Sequence, residues 1–208
     1  MVSTSVASST GTNFSIPVQP GETYVGLSDM YISYDGYHLF YVEAYSHNIV
    51  HHTLSTAWDI TTASSSYTSY SSSYGDTTGV HFSPDGTQMF TWAKNRKINK
   101  FSLSTPWDLS TVSYVNSSGF ISNAFSQKGL HISHDGKRVY VVDDYPDQIW
   151  QYNLTTPWDI SSINSVGGDD LLDVSNIDSQ PRQVFVNDSG TNLYWTGDQY
   201  GKVYQRAL

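Results

Sequence analysis

Short runs of apolar and aromatic residues alternate with polar, turn-forming segments along the chain. They form two series, residues 39–42, 89–92, 139–142 and 193–195, and residues 49–54, 98–103, 149–154 and 203–208. Most runs are rich in β-branched and aromatic side chains and are bounded by turn residues, so they predict β-strands. No stretch has apolar residues at helical spacing over a length that predicts a helix.

Two short phrases recur in step with these runs. Leu-Ser-Thr-Ala-Trp-Asp-Ile at residues 54–60 returns in close variants at 103–109 and 154–160. A Ser-x-Asp-Gly phrase occurs at residues 33–36, 83–86 and 133–136 and, in a degenerate form, as Val186-Asn187-Asp188-Ser189-Gly190. Both recur at intervals of about 50 residues, which is typical of repeat architectures. Four units of about four strands each predict an all-β, four-bladed β-propeller with antiparallel strands in every blade.

Both phrases have a structural explanation. Pro84 and its equivalents suit the first corner of a type I turn, and the following Gly supplies a positive φ. In the Trp phrase, the Asp carboxylate is placed to accept hydrogen bonds from backbone N–H groups just ahead of it. We expect the three indoles, of Trp58, Trp107 and Trp158, to pack between neighbouring sheets.

The chain ends predict how the ring closes. Leu208 aligns with Leu54, so the fourth unit stops before its last strand. Residues 6–11 resemble residues 114–119, which follow the second Trp phrase. We therefore expect residues 4–9 to supply the missing strand and remove an exposed sheet edge. The predicted units of this single domain are residues 28–77, 78–126, 127–178, and 179–208 with 1–10. The alternative to a monomeric closed ring is a half-ring that pairs with a second copy into eight blades.

Composition limits the function classes. The 208 residues carry ten Lys and Arg against 19 Asp and Glu, a net charge of −9, and the basic residues are scattered. Nucleic-acid binding needs a basic stripe, so it is not expected. No apolar run approaches 18 residues, and no signal-peptide pattern is visible at the N-terminus, so no membrane insertion is expected. The absence of Cys excludes disulfides and thiol catalysis.

The Ser-Pro-Asp-Gly-Thr phrase at residues 83–87, followed by an aromatic strand, resembles the repeats of YVTN and lactonase-type bacterial propellers. The full Leu-Ser-Thr-x-Trp-Asp-Ile phrase is more similar to repeats of phage or marine bacterial surface and tail-associated propellers. The first resemblance implies a lactonase-like hydrolase, although its acidic metal ligands have no matching positions here. The second implies a location on a virion or an extracellular surface.

Candidate binding residues lie in the loops between the second and third strands of each unit. These loops differ while the framework repeats, and variable loops on a repeated scaffold are usual binding sites. Tyrosine with Asp, Asn and His can stack on a sugar ring and hydrogen-bond its hydroxyls. The predicted ligand-binding residues are Tyr45, His47, Asn95, Asp144, Tyr145, Asp198 and Tyr200. Ordinary polar turns would have the same composition, so this alternative stays open.

Other constellations are weaker. The densest acidic patch is Asp169, Asp170 and Asp173 with Asp143, Asp144 and Asp147. It has oxygens that calcium would use, but its spacing does not show convergence. His81 and His131 occupy equivalent positions, where packing around the channel is expected. No catalytic residue, cofactor or metal site is predicted. The sequence therefore favours a non-catalytic module that binds a glycan or a protein surface. A metal-dependent, lactonase-like hydrolase and a purely structural propeller remain as alternatives.

Overall fold

The computed structural model describes residues 26–121, 126–163 and 170–208, and these ranges form β-strands joined by short turns. The strands are β1 (Leu27–Ile32), β2 (His38–Glu43), β3 (Ile49–Thr53), β4 (Thr68–Tyr70), β5 (Thr77–Phe82), β6 (Gln88–Ala93), β7 (Lys97–Leu103), β8 (Val112–Ser117), β9 (Gln127–Ile132), β10 (Arg138–Asp143), β11 (Gln148–Asn153), β12 (Asp170–Asp173), β13 (Pro181–Val186), β14 (Asn192–Gly197) and β15 (Lys202–Ala207). Single turns of 3₁₀ helix lie at Ile60–Thr62, Leu109–Thr111 and Ile160–Ser162.

Each sequence unit forms its own antiparallel sheet, which confirms the four-bladed β-propeller. The sheets are β1-β2-β3-β4, β5-β6-β7-β8, β9-β10-β11-β12 and β13-β14-β15, and these are blades 1 to 4. The first strands of the four blades lie around the axis, where they pack against one another. These strands are β1, β5, β9 and β13. The closing strand predicted at residues 4–9 lies outside the described residues.

The Ser-x-Asp-Gly phrase forms the turn between the first and second strands. In blade 2, Ser83 Oγ donates to Asp85 Oδ1 at 2.6 Å and accepts from the Gln88 backbone N–H at 3.0 Å. The Gly86 N–H donates to the Ser83 carbonyl at 2.9 Å, and the equivalent Gly36 and Gly136 bonds measure 2.8 and 2.7 Å. Gly86 has a φ of +70°, a conformation that side chains rarely adopt.

The Trp phrase locks this turn. The Trp107 N–H donates to the Gly86 carbonyl at 3.1 Å, and the indole lies so close that a Cβ on Gly86 would be 2.3 Å from Cε2. Asp108 then caps the 3₁₀ turn by accepting from the Ser110 N–H at 2.9 Å. Blades 1 and 3 repeat the arrangement with Trp58 on Gly36 and Trp158 on Gly136. The predicted role of the Asp carboxylate is therefore confirmed.

The indoles of the Trp phrase are not equally buried. Trp107 is 8% exposed and packs against blade 1, with its ring 5.3 Å from that of His38. Trp158 packs on blade 2, 5.8 Å from Phe90. Trp58 leaves 60% of its surface exposed, so the predicted burial is wrong for this unit. Trp107 and Trp158 each pack on the preceding blade, whereas the blade that precedes blade 1 around the ring is blade 4, which comes last in the chain.

Candidate functional site

A buried carboxylate joins all four blades at the axis. Asp29 of β1 accepts from the backbone N–H groups of Val80 at 3.0 Å and Leu130 at 3.3 Å, and from the Gln183 side chain at 3.2 Å. It also accepts from its neighbour Met30 at 2.9 Å. Burial raises the pKa of Asp29 to about 7, although the hydrogen bonds act in the opposite direction.

The positions equivalent to Asp29 explain why the strands can meet so closely. They are Gly79 in blade 2, Gly129 in blade 3 and Gln183 in blade 4. A Cβ on Gly79 would lie 2.9 Å from the Leu130 backbone nitrogen, and one on Gly129 would lie 2.8 Å from Arg182 O. The two glycines therefore allow neighbouring inner strands to approach, while Asp29 and Gln183 supply the polar contacts between them.

A ring of aromatic side chains surrounds the axis beside Asp29. Tyr31, His81, His131 and Phe185 occupy equivalent positions, and consecutive ring centroids are 5.0, 4.8 and 5.1 Å apart. Burial lowers the pKa of His131 to about 4 and also lowers that of His81. Both imidazoles are therefore neutral near pH 7. This geometry agrees with the expectation that these positions pack around the channel.

The inner strands enclose a cavity of about 670 Å³ that opens on the face of the Ser-x-Asp-Gly turns. Its mouth is formed by Tyr34, Pro84, His134 and Asp188, which are equivalent turn residues of the four blades. The Tyr34 ring stacks on His134 with centroids 4.7 Å apart, and its hydroxyl donates to Asp188 Oδ2 at 2.6 Å. Trp58 and Trp158 also line the cavity. The volume is in the range of small-molecule sites.

The predicted binding residues lie at the other end of the blades, on what we call the loop face. This face carries the loops β2–β3, β6–β7, β10–β11 and β14–β15. Its three tyrosines project into solvent, with Tyr45 60%, Tyr145 70% and Tyr200 58% exposed. None of the seven predicted residues, all of which are described, lines the axial cavity. The sequence thus placed the candidate site on the loop face, and the axial cavity opens on the opposite face.

Buried carboxylates hold the three tyrosine-bearing loops in place. Glu43 accepts from the Ser46 hydroxyl in the first loop. Asp143 accepts from the Tyr145 N–H at 3.3 Å and from the Ser126 N–H at 2.6 Å. Asp178 accepts from the Tyr200 N–H at 3.3 Å. Because each loop is tied to a buried acidic group, the tyrosines are presented from fixed backbones.

The polar residues predicted on this face bridge neighbouring segments. The His47 imidazole of blade 1 lies 3.2 Å from the Thr77 carbonyl of blade 2. Asn95 donates to the Tyr74 carbonyl at 2.8 Å. Arg182 joins blades 3 and 4 by donating to Asp144 at 2.7 Å and to Asp198 at 2.8 Å. The four predicted polar residues, together with Arg182, therefore stiffen the loop face, and the tyrosines are its exposed contact groups.

The acidic residues of blade 3 do not form a recognisable metal centre in the described ranges. Within those ranges no group of three or more His, Cys, Asp or Glu side chains is arranged to hold a metal ion. Asp169 lies outside them. Burial, and then the neighbouring carboxylates of Asp144 and Asp173, raise the pKa of Asp147.

The described part of the chain also contains no helix long and apolar enough to span a membrane.

Comparison with solved structures supports the fold. A candidate 6-phosphogluconolactonase from Bacteroides fragilis aligns over 95% of this chain and 59% of its own, with 13% identity and a TM-score of 0.55. The β-propeller domain of Cps50 (Swd1) from Myceliophteria thermophila aligns over 88% and 54%, with 13% identity and a TM-score of 0.53. A protein of unknown function from Desulfotomaculum acetoxidans aligns over 93% and 71%, with 13% identity and a TM-score of 0.56.

At such identities the likeness shows a β-propeller fold and no more. The chain spans little more than half the length of the lactonase candidate and of the Cps50 domain. Searches with protein-family models and against curated protein sequences give no match.

Sequence reasoning missed Asp29, Tyr34 and Asp188. A signal for each was present in the repeats. Asp29 is a charged residue where two other units have Gly, and Tyr34 and Asp188 occupy the turn position of Pro84 and His134. Their importance depends on the ring, which brings equivalent positions of four units together at the axis.

Proposed function

We propose that the chain is a non-catalytic binding module that recognises a glycan on its loop face. The observation that carries the proposal is the trio of exposed tyrosines, Tyr45, Tyr145 and Tyr200, on three loops of the loop face. Large aromatic side chains with a polar tip provide contact area with few rotatable bonds. Their rings can stack on the apolar face of a sugar while the phenol groups bond its hydroxyls.

The rigidity of the loops favours binding. Because Glu43, Asp143 and Asp178 already fix the loop backbones, little conformational entropy remains to be lost when a ligand binds. A single shallow site of this kind should have an affinity of about millimolar to micromolar. Several copies on one particle or cell surface would raise the avidity, and this agrees with the resemblance to surface and tail-associated propellers.

A glycan array probed with the labelled protein tests the proposal, followed by titration of the strongest hit. The variant with Tyr45, Tyr145 and Tyr200 all changed to Ala should lose binding at least tenfold. Tyr37→Ala is the matched control, because Tyr37 is also exposed but lies in a turn on the opposite face. Binding that survives the triple change would place the site elsewhere, and an array without hits would contradict the glycan proposal.

The hydrolase alternative makes a different prediction. A lactonase-like enzyme would release acid from 6-phosphogluconolactone at a rate above spontaneous hydrolysis, and a binding module would not. Asp29, the buried carboxyl beside the cavity, already accepts four hydrogen bonds from the surrounding strands. We therefore expect no acceleration in a pH-stat assay with purified protein.

A further inference from the structure

The axial cavity combines aromatic walls with acidic groups. Phe185, which is 53% exposed, and Trp58 present ring surface to it, and Tyr34 covers part of the mouth. The face of an aromatic ring carries partial negative charge and attracts cations within about 6 Å of its centroid. A cavity built from such faces therefore distinguishes ligands by charge as well as by shape.

The charged residues of the cavity have one sign. Among the residues that the structure describes, its lining includes the carboxyl groups of Asp29 and Asp188 and no Lys or Arg. The ranges 1–25, 122–125 and 164–169 contain no Lys or Arg in their sequence, so they cannot supply one either. The net charge of −9 adds a long-range field that attracts cations and repels anions.

Asp188 is the carboxylate that a ligand can reach. It is exposed at the mouth, and its one described side-chain hydrogen bond comes from the Tyr34 hydroxyl, a neutral donor. Asp29 differs, because it is buried and surrounded by backbone N–H groups. Asp188, the Tyr34 ring and the Trp58 indole thus provide a charge and two aromatic faces to the same opening.

We propose that this cavity binds a small organic cation that carries an alkylated ammonium group. The ammonium group is held between aromatic faces, including Trp58, and is paired with the Asp188 carboxylate. A methylated ammonium is weakly hydrated and shows an apolar surface, so it loses little by leaving water for an aromatic wall. The site is separate from the loop face, so the test of one proposal does not decide the other.

Choline and its uncharged isostere 3,3-dimethylbutan-1-ol are the probes, because they share a shape and differ in charge. Titration by calorimetry, or by NMR of the aromatic side chains, should give choline an affinity at least tenfold higher than that of the isostere. Phosphocholine should bind more weakly than choline, because its phosphate adds negative charge to a ligand that enters an acidic cavity. Equal affinity for choline and the isostere, tighter binding of phosphocholine, or no binding of choline would overturn the proposal.

Two variants test the assigned residues. Asp188→Asn should weaken choline binding about fivefold and leave the isostere unaffected, and Trp58→Ala should weaken both. Asp76→Asn is the matched control, because it removes the same charge from a half-exposed side chain on the loop face. If Asp188→Asn and Asp76→Asn weaken choline binding equally, the effect comes from net charge, and the assignment of Asp188 is refuted. Circular dichroism confirms that each variant is folded.

Discussion

The unequal burial of the indoles predicts unequal costs for the same substitution. Trp107 is 8% exposed and packs between blades 1 and 2, whereas Trp58 is 60% exposed. Removing a buried Trp side chain costs about 3–5 kcal/mol, through lost burial and the cavity left behind. We therefore expect about 3–5 kcal/mol for Trp107→Ala. For Trp58→Ala we expect about 1–2 kcal/mol, because less than half of its surface is removed from water.

Both residues have a positive φ, +66° for Trp107 and +65° for Trp58, so backbone strain is common to the two substitutions. A further pair, Trp107→Gly and Trp58→Gly, separates this strain from packing. Each Gly variant should recover about 1 kcal/mol relative to its Ala variant if strain contributes. The difference between the two sites should persist in both series.

Urea unfolding followed by far-ultraviolet circular dichroism measures these losses without relying on the fluorescence of the indoles that are removed. The dependence of free energy on urea concentration should stay constant, so that shifts in midpoint report stability. Equal losses at the two sites would show that Trp58 is buried in solution and would refute the link between exposure and cost. If Trp107→Ala does not fold, Trp107→Phe keeps a ring at the site and should lose less.

Three further predictions use other features of the fold. Gly86→Ala should destabilise the protein by several times as much as Gly201→Ala in the same urea assay. Both glycines have a positive φ, but a Cβ would collide with Trp107 only at Gly86. Equal losses of stability would contradict the collision. Burial lowers the pKa of His131 to about 4, whereas its pKa in the unfolded chain is 6.5. Between pH 4 and pH 6.5 the unfolded state therefore binds more protons than the folded state, and the free energy of unfolding decreases as the pH falls. His131→Phe should therefore make the loss of stability between pH 6.5 and pH 4 smaller by about 3 kcal/mol, and an unchanged pH profile would contradict this. Deletion of residues 1–10 should cause aggregation or a large loss of stability if they close the ring; a soluble, cooperatively unfolding deletion variant would disprove closure.

The fold was predictable because its information is local and repeated. Three units carry both a Ser-x-Asp-Gly turn and a Trp-Asp phrase, and the fourth has a degenerate form of the turn. The structure explains the coupling of the two phrases through contacts such as that of Trp107 with Gly86. A repeat interval of about 50 residues then limits the architecture to a few solutions. The exposure of Trp58 could not be predicted this way, because its phrase matches that of Trp107 and only the identity of the neighbouring blade differs.

The axial site was harder to predict because it is made of single residues from distant units. Asp29 acquires its role when β5, β9 and β13 bring Val80, Leu130 and Gln183 around it. No pattern within one unit distinguishes it from a polar residue on an exposed strand. The same holds for Tyr34 and Asp188, whose hydrogen bond joins residues 154 positions apart.

The ring itself shows which differences between units matter. Most variable positions of a repeat lie on the surface, where substitutions change little, but a few equivalent positions converge on the axis. At those positions the four units carry different residues. One layer consists of Asp29, Gly79, Gly129 and Gln183, and another of Tyr34, Pro84, His134 and Asp188. In the first layer, Asp29 makes hydrogen bonds to the other blades and the two glycines allow the inner strands to approach closely. These contacts stabilise the fold. The second gives the cavity mouth an exposed carboxylate beside aromatic rings, and stability alone does not require that combination. The binding role that we propose for this mouth would account for both its charge and its shape.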